Sequence, residues 1–168
     1  MKGVHLIGHG GLDQLIYKED IPVPQPSAGE VLIQVKAAGV NNTDINTRLG
    51  WYSKKITSDT NAKDLDSTLT EQDGSWTGTP LQFPRIQGGD ICGNIVEVGE
   101  GVSADRIGSR VLVRSMQNNP NSPDRFAMQT MGSERDGGFA EYCVAPAHES
   151  FDVHCNWTDV ELASTPIS

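Results

Sequence analysis

The stretch from Glu30 to Ala37, EVLIQVKA, sets Val31, Ile33, Val35 and Ala37 against Leu32, Gln34 and Lys36, which is the two-residue period of a half-buried strand. Residues 91–98 (ICGNIVEV), 109–114 (SRVLVR) and 138–145 (GFAEYCVA) read as further strands, each entered or left through glycine, with shorter ones at 4–7 and 15–18. Short strands at irregular spacing do not make a βαβ succession; they curl into a barrel or a sandwich. Eighteen glycines and nine prolines among 168 residues supply the turns, and IPVPQP at 21–26 makes an extended connector. Two short helices are predicted. One covers 42–49, with Asn42 or Thr43 as its cap; the other begins at Thr158, where Glu161 three residues on completes a capping box. The expected class is mainly β, one domain, with no internal repeat.

Charge and cysteine content narrow the function classes. The formal net charge is -9 with no basic cluster, which argues against a nucleic-acid partner, since phosphates demand a Lys/Arg footprint. No apolar run reaches the ~20 residues of a membrane span, and the start MKGVHLIGHGG has no signal-peptide core, so neither membrane nor secretion is expected. Three cysteines without CxxC spacing make a disulfide framework unexpected and point to the cytoplasm. Residues 51–82 differ in kind. Between Ser58 and Asp73, Asp59, Asp64, Asp66, Glu71 and Asp73 oppose Lys63 alone, five negative charges against one positive, or a net -4. That stretch reads as a solvated, mobile insertion.

Several familiar motifs fail on inspection. Gly99-Glu100-Gly101-Val102-Ser103-Ala104 matches GxGxxG/A after a strand, yet a phosphate-binding turn must open a helix. Gly108 and a further strand follow at once, so the segment reads as a hairpin turn. Cys143, His148, His154 and Cys155 do not have the spacing of a zinc finger, and His5 and His9 read as structural. No GxSxG elbow is present. Asp44 and Asp90 would make a general acid/base pair if the fold brought them together.

Five segments taken in order carry more information: the GHGG turn (8–11), IPVPQPSAGEVLIQVKAAGVNNTD (21–44), FPRIQGGDICGNIVEVGEGV (83–102), GSRVLV (108–113) and GGFAEYCVAP (137–146). In that order and spacing the chain resembles the N-terminal catalytic domain of the medium-chain dehydrogenase/reductase family. The resemblance implies a GroES-like, partly open β-barrel over residues 1–155, with 156–168 beginning the connection to a Rossmann domain. It implies an NAD(P)-dependent oxidoreductase, NADP(H) held mainly by that Rossmann domain, a small-molecule substrate, and a homo-oligomer at full length. The chain by itself is then expected to show no hydride transfer.

Departures from the zinc-dependent branch are specific. Where that branch places a ligand cysteine this sequence has Asn41, and where it reads Gly-His-Glu this one reads Gly88-Gly89-Asp90, so the histidine falls on Gly89. No cysteine cluster for a structural zinc occurs in 115–136, which reads as a loop. The expectation is a zinc-independent enzyme, similar to the quinone oxidoreductases, which show Gly-Val-Asn, then an Asp, an Arg and Gly-x-Tyr. Gly39-Val40-Asn41, Asp44, Arg48 and Gly50-Trp51-Tyr52 match that pattern. What this implies is hydride transfer to a quinone, enone or carbonyl acceptor. Asn41, Thr43, Asp44 and Tyr52 are the catalytic candidates, and Asn41 and Arg48 the cofactor contacts. Asp44 and Arg48, four apart on a helix, are expected to face each other as an ion pair. The competing reading is a free-standing GroES-like binding or assembly module without catalysis.

Overall fold

The computed structural model describes residues 1–52, 80–119, 122–124 and 126–166. Its strands are β1 (Gly3–Leu6), β2 (Leu15–Lys18), β3 (Glu30–Gly39), β4 (Arg85–Ile86), β5 (Asp90–Val98), β6 (Arg110–Val113), β7 (Met116–Asn118), β8 (Met128–Thr130), β9 (Tyr142–Pro146) and β10 (Ser150–Asp152). Two helices accompany them, α1 (Asn42–Leu49) and α2 (Asp159–Ala163). The predicted acidic insertion at 51–82 has residues 53–79 outside the described ones.

A five-stranded antiparallel sheet in the order β10-β6-β5-β3-β9 forms the body. Register places Val31 opposite Val98 and Ala145, and Ile33 opposite Ile95 and Cys143, so the alternating residues of β3 meet apolar partners on both neighbours. With Ile91, Val111, Val113 and Met131 they close one continuous core. Register shifts at Leu32/Ile33 and Val35/Ala37 break the β3–β5 ladder. Such irregularities bend a strand and raise its twist, and here they curl the sheet into the partly open barrel the sequence implies. A smaller sheet, β2-β1-β4, and a two-stranded ribbon, β7-β8, complete the wall.

The 99–108 segment is the hairpin turn between β5 and β6. Gly99 N–H donates to Glu30 O and Gly108 N–H to Ile95 O, each at 2.8 Å, and a three-residue turn at Ala104–Arg106 takes the place of a helix. A Cβ on Gly99 would stand 1.8 Å from Ser27 O, so close strand packing explains this glycine and phosphate binding does not. A second close approach builds the wall beside the site. Gly137 N–H donates to Ile86 O (2.7 Å), Gly138 N–H to Gly88 O (2.8 Å) and Phe139 N–H to Gln87 O (2.9 Å).

Some expectations need correction. The strand predicted at 138–145 starts only at Tyr142, because Phe139 and Ala140 attach to β1 through Val4 N–H and an isolated bridge. Leu32, on the supposed solvent face, is 4% exposed. The loop expected over 115–136 contains the β7-β8 ribbon. Helix α1 keeps its predicted bounds, but its cap is Asn41, not Asn42 or Thr43. Helix α2 has the Thr158–Glu161 capping box as predicted, and Leu162 and Ala163 bury against Cys92. Arg110 ties this helix to β6 through Asp159 at 2.7 Å.

Candidate active site

The entry to α1 organises the site. Asn41 sits in extended backbone (φ -115°, ψ 161°), the conformation a cap requires, and its Oδ1 accepts the Thr43 N–H at 3.2 Å. A backbone N–H can only donate, so the amide oxygen must face Thr43 and the amide nitrogen must face the other way. There Nδ2 donates to Asp90 Oδ2 at 3.5 Å. The Asn41 backbone N–H donates to Asp44 Oδ2 at 2.9 Å. Asn41 thus joins the two carboxylates that the sequence offered as an acid/base pair.

Asp44 is 8% exposed and works as a clamp. Its Oδ1 accepts the Gly88 N–H at 3.0 Å, and its backbone carbonyl accepts Gln87 Nε2 at 2.9 Å. Burial pushes its carboxyl above the ordinary aspartate range, against the opposing pull of the Asn41 and Gly88 N–H groups. Ser115 fixes the next residue of the same turn, its hydroxyl donating to Gly89 O at 2.7 Å. The predicted Asp44–Arg48 pair does not form among the described residues. Arg48 turns instead to the GHGG loop, donating through a terminal guanidinium nitrogen to Gly10 O, while Gly10 N–H donates back to Arg48 O at 2.8 Å. Both Asp44 oxygens meanwhile accept backbone donors, from Asn41 and Gly88. His9 reinforces this loop, its Nδ1 lying 2.9 Å from Thr47 O and its ring edge-on to Phe83.

Two cavities flank Asn41 and Thr43. The first, of about 240 Å³, has Thr43, Asp44, Thr47 and Tyr52 on the α1 side and the β7-β8 ribbon with the 130–133 turn opposite. Tyr52 is half-buried and stands edge-on to Trp51, with ring centroids 5.4 Å apart. The second, of about 480 Å³, is a slot between Ala37 to Asn41, at and just past the end of β3, Asp90, and Val160 and Ala163 of α2 with Ser164 that follows it. A third hollow of about 310 Å³, beside Pro22, Pro24 and Tyr142, holds none of the predicted site residues. The structure therefore sets Thr43, Asp44 and Tyr52 on the first cavity and the adjoining cap Asn41 on the second, while Arg48, near the end of α1, lines neither and turns to the GHGG loop. Among the described residues no group of three or more His, Cys, Asp or Glu side chains is arranged to hold a metal ion.

The alcohol dehydrogenase GroES-like domain family matches residues 27–154. The chain belongs to that family. A zinc-type alcohol dehydrogenase-like protein of Schizosaccharomyces pombe is 32% identical over 93% of the chain and 38% of its own length. Human quinone oxidoreductase is 31% identical over 88% of the chain and 32% of its own length. Among solved structures, a putative alcohol dehydrogenase from Sinorhizobium meliloti is 45% identical with a TM-score of 0.79, over 97% of this chain and 42% of that one. An alcohol dehydrogenase from Escherichia coli, solved with NADH, is 26% identical with a TM-score of 0.70, over 97% of this chain and 41% of that one. This GroES-like domain thus spans well under half the length of the relatives it matches, and the relatives are oxidoreductases of the medium-chain dehydrogenase/reductase type.

Sequence reasoning missed one whole wall of the domain's first cavity. Met116, Thr130, Met131 and Ser133 line it, yet 115–136 read as loop. A signal was present: Met116-Gln117-Asn118 and Met128-Gln129-Thr130 are matching triplets, and the central glutamines face each other in register, both buried.

Proposed function

We propose that this GroES-like domain is the substrate side of an NADP(H)-dependent, zinc-independent oxidoreductase that reduces a quinone, enone or carbonyl acceptor. The observation that carries the reading is that Thr43 lines one cavity and Asn41, hydrogen-bonded to it, lines the other, with the Asn41 amide held in one orientation by Thr43 and Asp90.

The slot beside α2 suits the cofactor's ring end. It is floored by the backbone of Ala37 to Asn41, and α2 packs so close that a Cβ on Gly39 would lie 2.5 Å from Ala163 O. A bound nicotinamide supplies the hydride. Asn41 meets it from the end of β3, and Arg48, whose guanidinium gives one of five N–H groups to Gly10 O, keeps further donors for the cofactor. On the acceptor side the negative charge that develops on oxygen needs donors already in place. The second Asn41 amide N–H and the Tyr52 phenol supply them. The Thr43 hydroxyl, 3.5 Å from Asn41 Oδ1, is the relay that passes a proton to the acceptor oxygen and regains one from solvent. Asp44 acts through its neighbours, holding the α1 entry against Gly88.

The residues present do not fit a catalytic zinc. Asn41 and Gly89 offer neither thiolate nor imidazole, and the Asp90 carboxylate is turned to the Asn41 amide. The rest of the working enzyme, including the fold that binds the cofactor phosphates, lies on this view in a longer protein, a cytoplasmic homo-oligomer. The test is oxidation of NADPH by 1,4-benzoquinone, cyclohex-2-enone or benzaldehyde, with deuterium from 4-deuterated NADPH found on carbon in the products of the last two. The whole reading frame containing the chain is expected to turn over at least one acceptor; the 168-residue chain alone is expected to turn over none. Turnover by the chain alone, or stoichiometric zinc in untagged protein, would contradict the proposal.

A further inference from the structure

The wall of the Thr43 cavity opposite α1 contains two hydroxyls for which the fold provides nothing. Ser133 is 5% exposed, and its Oγ is buried without a hydrogen-bond partner; Thr130 Oγ1 is in the same condition. The backbone of this turn is satisfied. Ser133 N–H and Arg135 N–H both donate to Thr130 O at 3.2 Å, and Thr130 N–H donates to Glu134 Oε2 at 2.7 Å. The two side-chain hydroxyls are thus surplus to the turn, and a buried polar group left unpaired weakens the folded state. Alanine and valine would fill the same places without that cost.

Both residues line the cavity, and a bound oxygen would engage either hydroxyl through a change of χ1 between staggered wells. Met116 and Met131 give the same wall an apolar, adaptable surface. The cavity's described lining holds no cation. Its one carboxylate, Asp44, is already engaged by two backbone N–H groups. Among the described residues an anionic substituent finds no counter-charge here, whereas a neutral oxygen finds two donors. At about 240 Å³ the space exceeds the ~150 Å³ that accommodates one benzene ring, leaving room for a ring with a short substituent.

We propose that the Thr130–Ser133 turn is a subsite for a neutral oxygen, hydroxyl or carbonyl, that the substrate carries away from its reacting group. The proposal rests on the reading of this cavity as the substrate side. Its test is binding rather than turnover. 4-Methylbenzaldehyde and 4-(hydroxymethyl)benzaldehyde differ only in the remote hydroxyl, and ligand-observed NMR titration measures both on the 168-residue chain.

The hydroxymethyl probe is expected to bind about tenfold more tightly, and the T130V/S133A variant to bring the ratio to about one. S133A alone is expected to reduce it partway, which keeps the test open if the double variant misfolds. Equal affinities on the unmodified chain, a ratio that survives the double variant, or no binding of either probe would each overturn the subsite. The two readings fail separately. Hydride transfer by the whole protein with no discrimination between the probes removes the subsite alone. Discrimination without hydride transfer removes the enzymatic reading alone.

Discussion

The Asp44 carboxylate and the Gly88 backbone, 44 residues apart in the chain, meet at 3.0 Å inside the domain, and the other Asp44 oxygen takes the Asn41 N–H at 2.9 Å. One buried side chain therefore holds the start of α1 and the glycine turn before β5 in a fixed relation. Removing it leaves two buried N–H groups without acceptors. Asp44→Ala is expected to cost about 2–5 kcal/mol, and Asp44→Asn, which keeps one acceptor, about half that. Denaturant unfolding checks the order. The pH dependence has a definite sign: burial raises the folded carboxyl above its unfolded value near ~3.9, so the folded state binds the proton more tightly. The stability difference in favour of the native chain over Asp44→Asn should be largest below about pH 4 and should shrink as pH rises through the raised value. A difference that grows with pH would mean that the two N–H bonds outweigh burial.

The glycine contacts behind Gly88 give a second expectation. A Cβ at position 137 would stand 2.3 Å from Gly88 O and 2.7 Å from Gln87 O, both backbone atoms that cannot swing aside. Gly137→Ala should destabilise by about 3 kcal/mol, or roughly 10 °C in Tm. Gly101→Ala makes the contrast. Its φ is +81°, but nothing lies within 4 Å of the added atom, so only the backbone conformation resists and the loss should be about 1–2 kcal/mol. Equal losses at the two positions would show that the 87–88 backbone can shift.

Local pattern carried much of this fold. The alternation in β3, the bounds of α1, the Thr158–Glu161 capping box and the hairpin at 99–108 all follow from neighbours within a few residues, and the structure has them. What pattern could not reach depends on contacts distant in sequence. β4 is two residues long and exists because Ile86 and Arg85 pair with His5 and Leu6. Arg48 has the spacing of a partner for Asp44, but the aspartate is taken by a glycine amide that no local rule connects to it. At the site, Asn41, Thr43 and Tyr52 became candidates through the family resemblance that the 39–52 stretch carries. Ser133 did not, since its place on the cavity comes from the β7-β8 ribbon folding back across the gap.

Cysteine reactivity should separate the three thiols sharply. Burial pushes Cys143 up to about 12, and burial with the neighbouring Asp159 carboxylate pushes Cys92 up to about 11, whereas Cys155 is exposed. The thiolate is the nucleophile. With a chromogenic disulfide reagent at pH 8, one thiol per chain should react quickly and the other two only on unfolding. Cys155→Ser should abolish the fast phase. Rapid modification of two or more thiols in the folded chain would place Cys92 or Cys143 nearer solvent than the packing of β5 and β9 allows.

Acid should act first at the start of β3. Glu30 Oε1 pairs with the Arg135 guanidinium, and Oε2 accepts the Ser27 N–H at 3.0 Å. Burial by itself would raise this carboxyl, but the arginine and the backbone donor outweigh it and hold it below the usual glutamate range. The ionised form is then favoured by folding, so its contribution is complete above the unfolded value near ~4.3 and disappears as pH falls through the lower folded value. Glu30→Gln keeps the shape but not the charge. Its Tm should lie about 2–4 °C below the native chain at pH 7, the loss expected of one partly exposed pair. The two melting curves should converge as pH drops through the region below about 4. Because Arg135 reaches Glu30 from just beyond the 130–133 turn, the same titration reports on that wall of the cavity. A Tm difference unchanged down to pH 2 would mean that the lost stability belongs to packing and not to the Glu30–Arg135 charge pair.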